Sequence, residues 1–231
     1  MNNQRSINAK VNEEWLLEFP TLIKFSLNKF YRVVGCVVVG IELIVLPGSG
    51  NYRPHLTVYG LWPNHFGNDV KAWLGGPILL KEFYNHKRFQ FNLPFEFNNE
   101  MCKEAISVIK SKAAFLLAEN ISIETLNAYI DNYAKCPPLD AMPGSYLQAS
   151  LMESKLNIAR YVSHAQALRV FKEINGRMWN TTHFKQCGHD VDEWINELKK
   201  KLANRELFLE DVKANRQNPR LSKLKFSELT T

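Results

Sequence analysis

The stretch from Tyr31 to Pro63 constrains the fold more than any other part of this chain. Val33, Val34, Val37, Val38, Val39 and Ile41 crowd a run that extends to Leu46, broken by Glu42. Branching at Cβ restricts χ1 and suits a pleated, packed surface. Pro47-Gly48-Ser49-Gly50-Asn51 then supplies a turn longer than a two-residue hairpin loop. His55 to Trp62 reads as the return strand, with Leu56, Val58 and Trp62 on one face and Thr57, Tyr59 and Leu61 on the other. The two runs predict a long β-hairpin that nucleates the core, with Tyr31 to Leu46 as one strand or a bent strand pair. Nearly all side chains of the first run are apolar, so both of its faces are expected to be covered. Gly35 and Gly40 inside it mark bulges or close backbone approach.

The remainder of the chain changes period. Asn12 to Phe19 reads as a short helix ended by Pro20, because the residue before proline is pushed out of the helical region. Ile78 to Tyr84 fits a strand. Arg88 to Leu93 alternates, placing Phe89, Phe91 and Leu93 on one face of another. Beyond Pro94 the pattern is helical, with Asn98 or Asn99 as the cap of a helix to about Leu117 and Ser122 as the cap of the next. Tyr146 to Ile174 is the longest helical pattern, and Asp190 to Ala203 is an amphipathic helix with Trp194, Ile195, Leu198 and Leu202 as its stripe. Strands first and helices later predict an α+β fold: an N-terminal antiparallel hairpin or sheet followed by a mainly helical half. The expected division is a sheet-containing region over 1–139, a helical region over 140–214 and a mobile basic tail over 215–231.

The 231 residues are 45% hydrophobic, enough for a substantial core, and carry a net charge of +6. From Lys199 to Thr231 there are nine Lys and Arg against four Asp and Glu, so the charge is concentrated at the end. Such asymmetry suits nucleic acid, an acidic protein surface or solubility. Met1 to Lys10 lacks the apolar core of a signal peptide, and the longest apolar run is too short for a membrane helix. Cys36, Cys102, Cys136 and Cys187 form no Cys-x-x-Cys pair. A cytoplasmic protein with free thiols and no membrane partner is expected.

Thr57-Val58-Tyr59-Gly60-Leu61-Trp62-Pro63 resembles the first active-site motif of the secreted acid ribonucleases, over about eight residues with Asn64. In that family a histidine stands where this chain has Tyr59, and it moves a proton at the ribose hydroxyl. A phenol with a pKa of about 10 does not replace it. The family's second motif ends in histidine followed by Gly-Thr-Cys. Asn99-Glu100-Met101-Cys102-Lys103-Glu104 has no histidine. The resemblance therefore carries over no catalytic residue. Its alternative reading is packing, with Trp62 under the sheet and Gly60 permitting a bend.

His183, Cys187 and His189, with Asp190, form the densest group of potential zinc ligands. Asp190 also stands three residues before Glu193, as the head of a capping box. His55 and His65 flank the return strand, where acid–base chemistry is conceivable, and His164 falls within the long helical pattern. Glu96, Glu100 and Glu104 share one helical face and read as solvated. Pro47-Gly48-Ser49-Gly50 lacks the ending of a phosphate loop. No cofactor, metal or catalytic set is expected.

Two functions follow from these patterns. The first is a non-enzymatic protein that binds another protein, in general character like small bacterial accessory or immunity-type proteins, through an exposed rim of Tyr52, Tyr59, Trp62 and Trp73. The second is a nucleic-acid-binding protein or cryptic nuclease using Lys199, Lys200, Lys201, Arg205, Arg216 and Arg220.

Overall fold

The computed structural model describes residues 2–62, 76–95 and 100–231, with side chains described from residue 9 onward. The fold is α+β, with the antiparallel sheet first and most helices after it. The chain forms two units. Unit 1 comprises 1–59, 79–121 and 216–228; unit 2 comprises 60–78, 122–215 and 229–231. This differs from the expected division: the boundary falls at 121/122, and both units are discontinuous in sequence. Periodicity along a chain does not reveal that its last segment returns to the first sheet.

Unit 1 begins with α1 (Asn2–Glu18), longer than the segment expected from Asn12, and stops before Pro20. The strands β1 (Ile23–Ser26), β2 (Lys29–Val34), β3 (Val37–Leu46), β4 (Asn51–Gly60) and β5 (Leu79–Glu82) neighbour one another in chain order. The apolar run is thus two strands. Gly35 at φ 53° makes the tight turn between β2 and β3, a conformation that glycine adopts without strain. Gly40 lies opposite Tyr31, where an added Cβ would sit 1.9 Å from the Phe30 carbonyl oxygen. From Val37 to Leu43 every residue of β3 is buried, as is every residue of β4 from Pro54 to Gly60. The sheet is covered on both faces.

Two short strands complete the sheet edges. β6 (Leu93–Pro94) pairs with Asn51 and Tyr52 of β4. The expected strand over Arg88 to Leu93 is reduced to this fragment: Phe91 and Leu93 are buried, but Phe89 is 68% exposed. Arg88 takes φ 64° in a turn, which breaks the alternation. The helix α2 (Glu100–Lys112) follows and ends before Leu117. Its expected caps, Asn98 and Asn99, lie outside the described residues.

Between the units, β7 (Ile121–Ser122) leads into α3 (Ile123–Ala134), whose Thr125 N–H donates to the Ser122 hydroxyl. In unit 2, α4 (Tyr146–Val162) packs against α3 and α5 (His164–Asn175), and α5 packs against the helix Val191–Ala203. The expected single helix from Tyr146 is broken at Ser163. Its backbone N–H closes α4 on Ala159, and its side chain accepts from Gln166 N–H to open α5. Competition from a serine hydroxyl for backbone groups favours such a break. α6 (Thr181–Gln186), α7 (Val191–Ala203) and α8 (Arg205–Arg216) complete the helices.

The basic end, expected as a mobile tail, is instead built into unit 1. β8 (Phe226–Ser227) pairs in parallel with Val33 and Val34 of β2, and Leu221 and Leu224 are buried. Val33 N–H donates to Lys225 O, and Gly35 N–H to Ser227 O. Without β8 these donors would be orphans on a strand edge. The last strand, β9 (Leu229–Thr230), belongs to unit 2.

Candidate functional site

The three described members of the expected aromatic rim, Tyr52, Tyr59 and Trp62, are buried rather than exposed. Tyr52 has no exposed surface, because Trp15 donates its indole N–H to the Tyr52 hydroxyl at 2.9 Å and packs edge-on against the ring. Tyr59 is 8% exposed and Trp62 7%. Trp73 lies outside the described residues, as does His65. These rings carry too much apolar surface to remain outside when a sheet face offers a place for it.

Tyr59 belongs to a buried network. Its hydroxyl and that of Tyr31 both donate to Glu42 Oε1, while Lys29 Nζ lies 3.0 Å from Glu42 Oε2. Burial pushes the Glu42 carboxyl up, but the bonds from Tyr31, Tyr59 and Lys29 outweigh it and hold it below its ordinary value. Burial and the Glu42 charge raise the Tyr59 phenol. In contrast to the histidine of the ribonuclease motif, Tyr59 is thus a fixed hydrogen-bond donor. Gly60 follows because Trp62 folds back over it: an added Cβ would lie 2.5 Å from the indole.

His55 is buried, with Nε2 3.7 Å from Glu82 Oε1. Glu82 Oε2 also accepts from the Tyr84 hydroxyl and from Gln90. On the expected acidic face Glu100 pairs with Lys103 and Glu104 with His86, while Glu96 lies outside the described residues. His164 is exposed at the first position of α5 rather than within a longer helix.

A groove of about 710 Å³ lies wholly in unit 2, between α4, α7 and α8. Trp62, Tyr146, Trp194 and Phe208 give it aromatic walls. Phe208 packs on Trp62 with centroids 6.3 Å apart. Trp194 is fixed by an indole bond to Glu153 Oε2 at 3.1 Å and by the edge of Trp179. Leu207 lines the groove and is 60% exposed. The lysines of its charged rim are matched: Lys201 bonds Glu153 and Lys200 bonds Glu197, both at 2.6 Å.

Arg160 lines the groove and is only 4% exposed. Its Nη1 donates to Asn157, its Nη2 to the Asn204 carbonyl, and its guanidinium lies 4.2 Å from the Phe208 ring centre. Burial lowers its pKa to about 10. Among the described residues it has no ion-pair partner within 4.0 Å, and its Nε has no acceptor.

The His183, Cys187 and His189 group does not converge. His183 Nδ1 accepts from Tyr146 N–H, Cys187 Sγ is 3.8 Å from that nitrogen, and His189 stacks on Tyr146 at 4.1 Å. Asp190 caps α7, accepting from Asp192 and Glu193 N–H. Among the described residues no three His, Cys, Asp or Glu side chains are placed to hold a metal ion.

Most of the basic residues named from sequence have internal partners. Arg205 donates to the carbonyls of Arg160, Tyr161 and Val162, satisfying the open end of α4. Arg216 pairs with Glu228 and covers the Phe226 ring. Lys199 and Arg220 are exposed. No protein-family model matches this chain, and neither a curated protein nor a solved structure matches it.

The sequence reading found Trp62, Lys200 and Lys201 without joining them, and missed Glu153, Arg160 and Leu207. Charge on α4 is the available signal: the half-buried Glu153 and the buried Lys155 and Arg160 interrupt its apolar stripe.

Proposed function

We propose that this protein is a cytoplasmic, non-enzymatic binding protein whose partner is another protein, held in the groove of unit 2. The observation that carries this reading is the combination of fixed aromatic walls with the exposed Leu207 and a polar, charged rim whose lysines are already paired. Interfaces concentrate aromatic anchors inside a polar border in this way. A phosphate track needs unpaired cations, whereas Lys200 and Lys201 are neutralised where they stand. No disulfide joins the cysteines among the described residues, which fits a reducing compartment.

A photo-crosslinking residue at position 207 of the full chain tests the reading, with one at exposed position 168 on α5 as the control. In lysate, a discrete protein is captured from 207 and not from 168. Once purified, that protein binds the chain, and Leu207→Asp abolishes binding without loss of fold. Equal capture at both positions, or binding unchanged by Leu207→Asp, would overturn the proposal.

A further inference from the structure

The groove has a charge of its own. Glu153, Asp190, Glu193, Glu197 and Asp211 line it against Arg160, Lys200 and Lys201, a local balance of −2 in a chain of +6. The two lysines are matched by Glu197 and Glu153. Among the described residues, Asp190, Glu193 and Asp211 face no cation within 4.0 Å. Aromatic faces beside unmatched carboxylates attract ammonium and guanidinium groups, through ring quadrupoles and through charge.

A second observation comes from the groove lining. Arg160 is nearly inaccessible, has no carboxylate within 4.0 Å among the described residues although the charges of Glu153 and Asp211 reach it from farther off, and leaves Nε without an acceptor. Unmatched buried donors cost stability, so this guanidinium calls for an oxygen acceptor. The occupant must therefore bring cations to the rim and carbonyl oxygens to the interior. A free polyamine brings the first and lacks the second. An extended peptide with Arg or Lys side chains brings both.

We infer that the groove receives a basic, extended segment of the partner protein, its Arg or Lys side chains meeting Glu193 and Asp211 and its backbone carbonyls turned toward Arg160. This rests on the protein-binding reading of the same groove. The aromatic walls take the apolar stems of those side chains.

Fluorescence anisotropy on the full chain tests it. The probe is a labelled decapeptide pool randomised over Arg, Lys, Trp, Leu and Ser, against a matched pool carrying Asp and Glu instead. The basic pool binds, the acidic pool does not, and raising salt weakens binding. Glu193→Gln combined with Asp211→Asn weakens it about tenfold, with the near-ultraviolet circular dichroism unchanged; Glu193→Gln alone serves if the pair disturbs folding. Equal binding of the acidic pool, indifference to these substitutions, or no binding of the basic pool would overturn the inference. Spermine binding as tightly as the basic pool would overturn the peptide as occupant. Crosslinking from position 207 decides the protein-binding reading separately, so a partner captured there with no basic-peptide affinity would sink the inference alone.

Discussion

Tyr59 donates its hydroxyl hydrogen to Glu42 Oε1 at 2.5 Å across the buried sheet. Tyr31 reaches the same oxygen, and Lys29 holds the other. A position that resembles a catalytic histidine in a ribonuclease motif is therefore one arm of a structural clamp. Buried carboxylates persist where such donors satisfy them.

Tyr59→His should not create ribonuclease activity, because the side chain lies inside the sheet. It should cost about 1–3 kcal/mol by leaving Glu42 short of a donor. An RNA-cleavage assay and a thermal melt on the same variant check both statements; RNA cleavage above the wild-type background would contradict the clamp.

The clamp also sets an acid dependence. The folded pKa of Glu42 is below its ordinary value, so its stabilisation is complete above the unfolded value of about 4.3. It is lost as pH falls through the lower, folded value. Melting temperatures of wild type and Glu42→Gln should differ at pH 7 and converge as pH falls below about 4. A constant difference from pH 7 to pH 2 would contradict this.

Gly40→Ala should destabilise by about 3 kcal/mol or more, beyond the usual range for overpacking. The added carbon meets the backbone Phe30 oxygen at 1.9 Å, and backbone cannot rotate away as a side chain can. Urea unfolding measures this. Gly76→Ala meets nothing within 4 Å and serves as the control.

Truncation after Asn215 should cost about 3 kcal/mol or more, since it removes the buried Leu221 and Leu224 and uncovers part of the β2 edge. The full chain should elute early in a salt gradient on heparin, because Arg205 and Arg216 are already engaged. Late elution, lost on truncation to a still-folded protein, would favour the nucleic-acid alternative.

Thiol labelling should separate the cysteines. Cys187 is exposed and Cys136 half-buried, whereas Cys36 and Cys102 are buried, and burial pushes the Cys36 thiol up. Native protein should react at Cys187 first and at Cys36 only after unfolding, as read by mass spectrometry of labelled peptides.

The α+β order, the hairpin with its covered faces, the Ser122 cap and the Asp190 cap were legible because each is written in neighbouring residues. Val and Ile density, a turn cluster and a capping oxygen three places before an N–H are local signals. The break at Ser163 was missed because the apolar stripe continues through it, and the strand over Arg88 to Leu93 was overstated because two buried residues out of three imitate alternation.

What the sequence determined alone is therefore the order of strands before helices, several of the helix caps and the covered hairpin. Tertiary structure decided which side chains share a place. Tyr59 meets Glu42 across the sheet, the basic end returns to β2, and Glu153 of α4 converges with Trp194 of α7 and Phe208 of α8. Hydrophobic burial has no direction along the sequence. It drew the aromatic rings inward from the rim that their exposure would have required, and it left the charged side chains of α4 and α7 to line the groove.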